Sequence, residues 1–200
     1  MPISSASPTR LREMVGDAYS SAAEHPNDKH PFPVGREFAE SLGYSPELLA
    51  LLPRVACDAF AGVSNVSLFA ELPTGATVLD LGCGSGTDTM IAAQRVGSTG
   101  KVIGVDFSQA MLRRARQAAD ESALANVELR ECDAERLPIA DGEIDVAIVN
   151  GIFNLNPMRE VIFRELARVI RPAGTVFTAE LILAAPLPSE TRVSEADWFA

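Results

Sequence analysis

The sequence is short of basic groups. Seventeen Lys+Arg stand against 27 Asp+Glu, a formal charge of −10 over 200 residues. Nucleic-acid binding draws most of its affinity from cations that displace counterions at phosphates, so no nucleic-acid partner is expected. The one basic cluster, Arg113-Arg114-Ala115-Arg116, reads as the solvated face of a helix. Long apolar runs are also missing: none approaches the roughly 18 residues needed to cross a bilayer, and residues 1–12 lack the apolar core of a secretory signal. No membrane partner is expected, and the expected location is the cytoplasm. Cysteine is scarce. Cys57, Cys83 and Cys132 are far apart, odd in number and form no C-x-x-C pair, which argues against a zinc site or a disulfide framework. The two histidines, His25 and His30, lie five apart in a proline-broken loop with no carboxylate-rich motif beside them, so no metal site is expected.

What is present reads as one α/β domain. Hydrophobic residues make up 47%, enough for a core, and the length suits a single domain better than two. Residues 1–35 are polar and interrupted by proline. A helix is expected over 10–24, and the segment reads as a lid or flexible region before the domain at 36–200. Residues 36–72 read as helices, with a helical pattern resuming over 66–72. Strands are then expected at 77–81, 101–106, 127–132, 144–150 and 175–183. Between them come helices at 87–96 and 108–122, and one opened by Asn156-Pro157. Such alternation builds a doubly wound, mostly parallel sheet through right-handed crossovers.

In open α/β sheets ligands lie at the carboxyl ends of the strands, near the switch in strand order. The unusual residues fall there. After the first strand comes Asp80-Leu81-Gly82-Cys83-Gly84-Ser85-Gly86, a turn whose glycines let a ligand approach bare backbone. The dinucleotide pattern G-x-G-x-x-G is missed, because Thr87 stands at its third position and the glycine comes one residue early. A pyrophosphate cofactor is therefore disfavoured, and no Gly-Lys-Ser/Thr follows to make a phosphate loop. Asp80 would repel an anion, whereas it suits the ammonium and sulfonium of S-adenosylmethionine. Asp106 ends the second strand, where a carboxylate either accepts from ribose hydroxyls or caps the next helix. Asp133 follows the third strand and can accept from an adenine amino group. Phe107 either stacks on that base or packs in the core.

At these residues the chain resembles the class I S-adenosylmethionine-dependent methyltransferases. The matching elements are the segments 78–86, Val105-Asp106, 133–138 and Arg171-Pro172-Ala173-Gly174. The resemblance implies that Gly82, Gly84 and Gly86, beside Asp80 and Cys83, line the methionine part of the cofactor. It implies Asp106 at the ribose, and Asp133 with Ala134 at the adenine. Asn150 and Asn154 stand where cofactor and substrate meet. Tyr19 is the lid candidate, with a packing role as the alternative, and no catalytic base is named.

Within that class the segment 149–155, Leu42-Gly43-Tyr44 and residues 65–72 are similar to arsenite methyltransferases. Those enzymes hold trivalent arsenic with cysteines at positions where this chain has Val63 and Gly151, so soft ligands are absent there. Methyl transfer to another small molecule is expected. The alternatives are a cofactor-binding module without catalysis, arsenite methylation through Cys57, Cys83 and Cys132, and a nicotinamide-dependent oxidoreductase. The family has Pro-Gly-Gly where this chain has Pro172-Ala173-Gly174; a positive φ at Ala173 would cost about 1 kcal/mol. The family also ends its sheet with a strand hairpin, for which the residues after 183 are too few. The open edge of the fifth strand is expected to be covered by residues 184–200, by the N-terminal region, or by a second copy in a two-fold dimer.

Overall fold

The computed structural model describes residues 8–182, 184 and 185. Helix α1 (Pro8–Glu24) is followed by four short helices, α2 (Arg36–Ser41), α3 (Pro46–Ala50), α4 (Arg54–Cys57) and α5 (Val66–Phe69). The alternating region comprises β1 (Thr77–Leu81), α6 (Thr87–Val96), β2 (Lys101–Asp106), α7 (Gln109–Glu121), β3 (Val127–Glu131), β4 (Ile144–Asn150), α8 (Arg159–Val169) and β5 (Ile170–Ala179). Among the described residues no helix is long and apolar enough to cross a membrane.

The five strands run in the order β3-β2-β1-β4-β5, all parallel. Right-handed crossovers dictate the layering. Going β1 to β2 to β3 the chain steps one way, which puts α6 and α7 on one face; β4 to β5 steps the other way and puts α8 on the opposite face. The strand side chains alternate accordingly. Val78, Val102, Val146 and Ile148 pack with Ala92, Ala93 and Val96 of α6. Leu79, Leu81, Ile103, Val105 and Val149 pack with Ile162, Leu166 and Val169 of α8. Burial on both faces explains the nearly continuous apolar runs. The step direction reverses between β1 and β4, and this reversal opens a crevice at their carboxyl ends.

The expected doubly wound sheet is present, with some shifted boundaries. Asn156 does not cap α8: its Oδ1 accepts from Met158 N at 2.7 Å in a turn, and the helix begins at Arg159. The expected helix at 66–72 stops at Phe69. The fifth strand spans Ile170–Ala179, not 175–183, because residues 171–174 form a bulge between the pairs Ile144/Ile170 and Val146/Thr175. Leu181 and Ile182 lie beyond that strand, exposed, and Leu183 is outside the described residues. Ala173 has φ +66°, the left-handed conformation that costs a side chain energy.

The N-terminal helix is packed on the body. Ala22 and Ala23 of α1 are buried with Ala59, Ala110 and Met111. The basic cluster serves this contact rather than facing only solvent: Arg113 pairs with Glu24 at 3.1 Å, and Arg114 donates to the carbonyls of Ala23 and Val55.

Candidate functional site

A cleft opens at the reversal point. Asp80, Gly82, Cys83, Gly84, Asp106, Phe107, Asp133, Ala134, Asn150 and Tyr19 all line it. The glycine turn is fixed from both sides. Gly82 N and Cys83 N donate to Val105 O, each at 2.9 Å. Ser85 and Thr87 donate their hydroxyls to the carbonyl of Ala56, at 2.5 and 2.9 Å, which ties α4 to the turn. A Cβ on Gly84 would meet nothing within 4 Å, so the turn faces open space where a ligand can lie.

Asp106 plays two structural parts at once. One carboxylate oxygen accepts from Gly84 N at 2.9 Å, and the other from Ser108 N at 2.8 Å. It therefore steadies both the glycine turn and the start of α7, and its carboxylate still borders the cleft. Burial pushes its pKa up to about 6 against the opposing pull of those N–H donors. Asp80 is wholly buried and accepts from Thr89 Oγ1 at 2.5 Å; burial and the nearby Asp88 carboxylate hold its pKa well above the ordinary range. Phe107 is not a core residue: it is 44% exposed at the cleft wall.

Two candidates fall elsewhere. Gly86 does not line the cleft. It sits at φ +93° at the start of α6, and a Cβ there would stand 3.1 Å from Ala115 Cβ on α7, so the glycine permits close helix packing. Asn154 turns its amide away to the carbonyl of Leu181. Asn150 reaches the cleft, yet its amide is spent internally. Its Oδ1 accepts from Val63 N at 2.8 Å and Ser64 N at 3.1 Å, and its Nδ2 donates to Ser64 O and Asp88.

Several residues that sequence reasoning missed shape the site. Asp88 lines the cleft and collects Tyr44 Oη at 2.5 Å, Ser67 Oγ and Asn150 Nδ2. Its partners come from three separate segments, so no local pattern marked it. Arg12 of α1 forms an ion pair with Glu135 beyond β3, and Glu135 also accepts from Asn156. The same helix sets Gly16 close to Phe107 and Ser20 Oγ 3.1 Å from Ser108 Oγ. Tyr19 stacks on Phe32 with centroids 4.5 Å apart; burial raises its phenol above the usual value. Helix α1 thus lies across the cleft mouth.

Among the described residues five carboxyl groups line the cleft (Asp80, Asp88, Asp106, Asp133 and Glu135) against one cation, Arg12, which is already paired with Glu135. The ionised members of this wall repel a pyrophosphate and favour a cationic ligand with hydroxyl and amino groups. Cys57 is buried in the helical core and burial lifts its pKa to about 11. Cys83 and Cys132 line the cleft, but burial raises both, Cys132 to about 11. Among the described residues no group of His, Cys, Asp or Glu is arranged to hold a metal.

Comparison with known proteins identifies the family. Residues 72–198 match a family described as a methyltransferase domain. An arsenite methyltransferase of Halobacterium salinarum is 38% identical over 155 residues, 78% of this chain and 39% of that protein. A demethylmenaquinone methyltransferase of Lactococcus lactis is 37% identical over 107 residues, 54% of this chain and 42% of that protein. The match thus spans well under two thirds of those relatives. The crystal structure of an arsenic(III) S-adenosylmethionine methyltransferase from Chlamydomonas reinhardtii is similar with a TM-score of 0.55. It is 28% identical, over 73% of this chain and 48% of that one.

Proposed function

Since this chain belongs to the class I S-adenosylmethionine-dependent methyltransferases, we propose that its cleft binds S-adenosylmethionine and serves methyl transfer to a small organic acceptor rather than to arsenite. The observation that carries the reading is the acidic cleft built on the glycine turn. It suits a sulfonium and an ammonium and resists the phosphates of a nicotinamide dinucleotide. Gly82 and Gly84 would hold the methionine part, Asp106 the ribose, and Asp133 with Phe107 the adenine. Bound there, the cofactor would supply a methyl group that its sulfonium already activates for displacement by an acceptor lone pair. The chain's own contribution is alignment and exclusion of water. Helix α1, pinned by Arg12 to Glu135, covers the mouth, and Asn150 fixes the wall at Val63 and Ser64.

The choice of acceptor rests on Val63 and Gly151. In the resembled arsenite enzymes cysteines stand at these positions. Here Val63 Cγ1 lies 2.9 Å from where a Cβ on Gly151 would be, so the two positions touch and an isopropyl group fills the space between them. The kinship with a demethylmenaquinone methyltransferase makes a naphthoquinol a suitable trial acceptor. Calorimetric titration with S-adenosylmethionine and with NAD tests the cofactor. Transfer of a labelled methyl group to thiophenol, catechol, 2-methyl-1,4-naphthoquinol and arsenite tests the acceptor. Binding of S-adenosylmethionine alone, with turnover of an organic acceptor, is the expected result. Tighter binding of NAD would overturn the cofactor reading, and arsenite as the best acceptor would overturn the second.

A further inference from the structure

The loop at 151–154 leaves the carboxyl end of β4 and supplies Gly151 and Ile152 to the cleft. It is held almost wholly by the residues that end β5. Gly151 N donates to Ala179 O at 2.9 Å. The Glu180 carboxylate then takes three successive backbone donors: Ile152 N at 3.0 Å, Phe153 N at 2.9 Å and Asn154 N at 3.3 Å. The side chain of Asn154 completes the grip on Leu181 O. A carboxylate that collects consecutive N–H groups makes strong, charge-assisted bonds and fixes the path of the backbone.

That path matters at two contacts. Ile152 Cγ2 lies 2.5 Å from where a Cβ on Gly82 would stand, so the loop rests directly on the glycine turn. Gly151, at φ +80°, faces Val63, which comes from the loop that Asn150 holds. The seam of Val63, Gly151 and Ile152 therefore adjoins the methionine end of the cleft. Asp106, Phe107 and Asp133 belong to the other end. Glu180 itself does not line the cleft.

We propose that Glu180 is a positioning residue for the methyl acceptor: by holding the N–H groups of residues 152–154 it sets the Val63–Gly151–Ile152 seam as the acceptor wall. This rests on the methyltransferase reading above. It assigns to the end of β5 a part in acceptor placement that is separable from cofactor binding.

The test compares wild type, Glu180→Gln and Glu180→Asp. Affinity for S-adenosylmethionine is measured by calorimetry, and kcat and KM with thiophenol and 2-methyl-1,4-naphthoquinol. Glu180→Gln is expected to keep cofactor affinity within about threefold and to lose roughly tenfold or more in acceptor kcat/KM, the scale of a lost charge-assisted hydrogen bond. Glu180→Asp, which keeps the charge at shorter reach, should recover part of that loss. Amide hydrogen exchange with S-adenosylhomocysteine bound is a second readout, independent of any acceptor. Faster exchange in Glu180→Gln confined to residues 151–154 and 63–64 supports the proposal, and unchanged exchange overturns it. Wild-type kcat/KM in Glu180→Gln, or cofactor affinity falling in step with kcat/KM, also overturns it. A wild-type chain that binds no S-adenosylmethionine fails the underlying reading instead.

Discussion

At the scale of single residues, close contacts separate binding groups from packing groups that share one motif. Asp106 joins the glycine turn, the start of α7 and the cleft. Asp106→Ala should weaken S-adenosylmethionine binding by roughly 1.5–3 kcal/mol, the scale of hydrogen bonds to a charged group; an unchanged Kd in a folded variant would remove the assignment. Gly86 behaves differently. Gly86→Ala forces a left-handed alanine against Ala115 and should cost about 1–3 kcal/mol of stability, seen as a lower Tm. In the variant that remains folded, cofactor Kd should hold, because Gly86 is outside the cleft. Ala173, at φ +66°, runs the opposite way. Ala173→Gly should stabilise the chain by about 1 kcal/mol, and a denaturant midpoint that fails to rise would show that the bulge prefers the methyl group.

At the scale of elements, the Arg12–Glu135 ion pair joins α1 to the far wall of the cleft. Arg12 is 41% exposed in that pair and Glu135 12%, so its worth is that of a surface bridge, up to about 1 kcal/mol. Arg12→Ala should therefore raise the cofactor dissociation rate by no more than about fivefold, with the association rate little changed. Stopped-flow fluorescence of ligand release measures this. An increase of a hundredfold would mean that Arg12 contacts the ligand itself. The segment 62–64 is held differently, by the fully bonded amide of Asn150 and the buried Asp88 below it.

At the scale of the molecule, buried carboxylates couple the cleft to pH. Asp106 is held above its ordinary 3.8 at about 6, and Asp80 is raised further in the same direction, both chiefly by burial. Raised carboxyl groups contribute stability that is full below the unfolded value and is lost as pH rises through the folded one. This contribution should fall between 3.8 and about 6 for Asp106, with Asp80 extending the fall upward. A cationic ligand has the opposite preference, since it favours ionised carboxylates. Affinity for S-adenosylmethionine should accordingly rise from about pH 5 to about pH 7 with release of protons on binding. Calorimetry in buffers of different ionisation enthalpy reads both effects, and a pH-independent Kd would contradict the coupling.

The sheet edge is also a property of the molecule. Among the described residues β5 pairs only with β4, and Val176 is 43% exposed beside Phe163 at 51%. An open apolar edge invites pairing. Concentration-dependent light scattering should show self-association that Val176→Lys reduces, and a monomer at every concentration would mean that something else covers the edge.

The sequence determined the order of strands and helices, because burial on both faces writes apolar runs and the helix starts carry their own signals, as at Ser108, whose hydroxyl accepts from Met111 N at 3.3 Å. It also located the ligand end of the sheet, since a glycine turn after β1 and an acid ending β2 are local features with a fixed place in this topology. Tertiary structure alone decided which of those residues face the cleft. Gly86 and Gly84 stand two apart in one motif, yet the approach of Ala115 from α7 takes the first for packing and leaves the second open. Asp88 and Glu180 carried no signal, because each acts on partners at least 21 residues away in the chain. Local propensity extends over a few neighbours, whereas a carboxylate's role is set by whichever donors the fold brings to it.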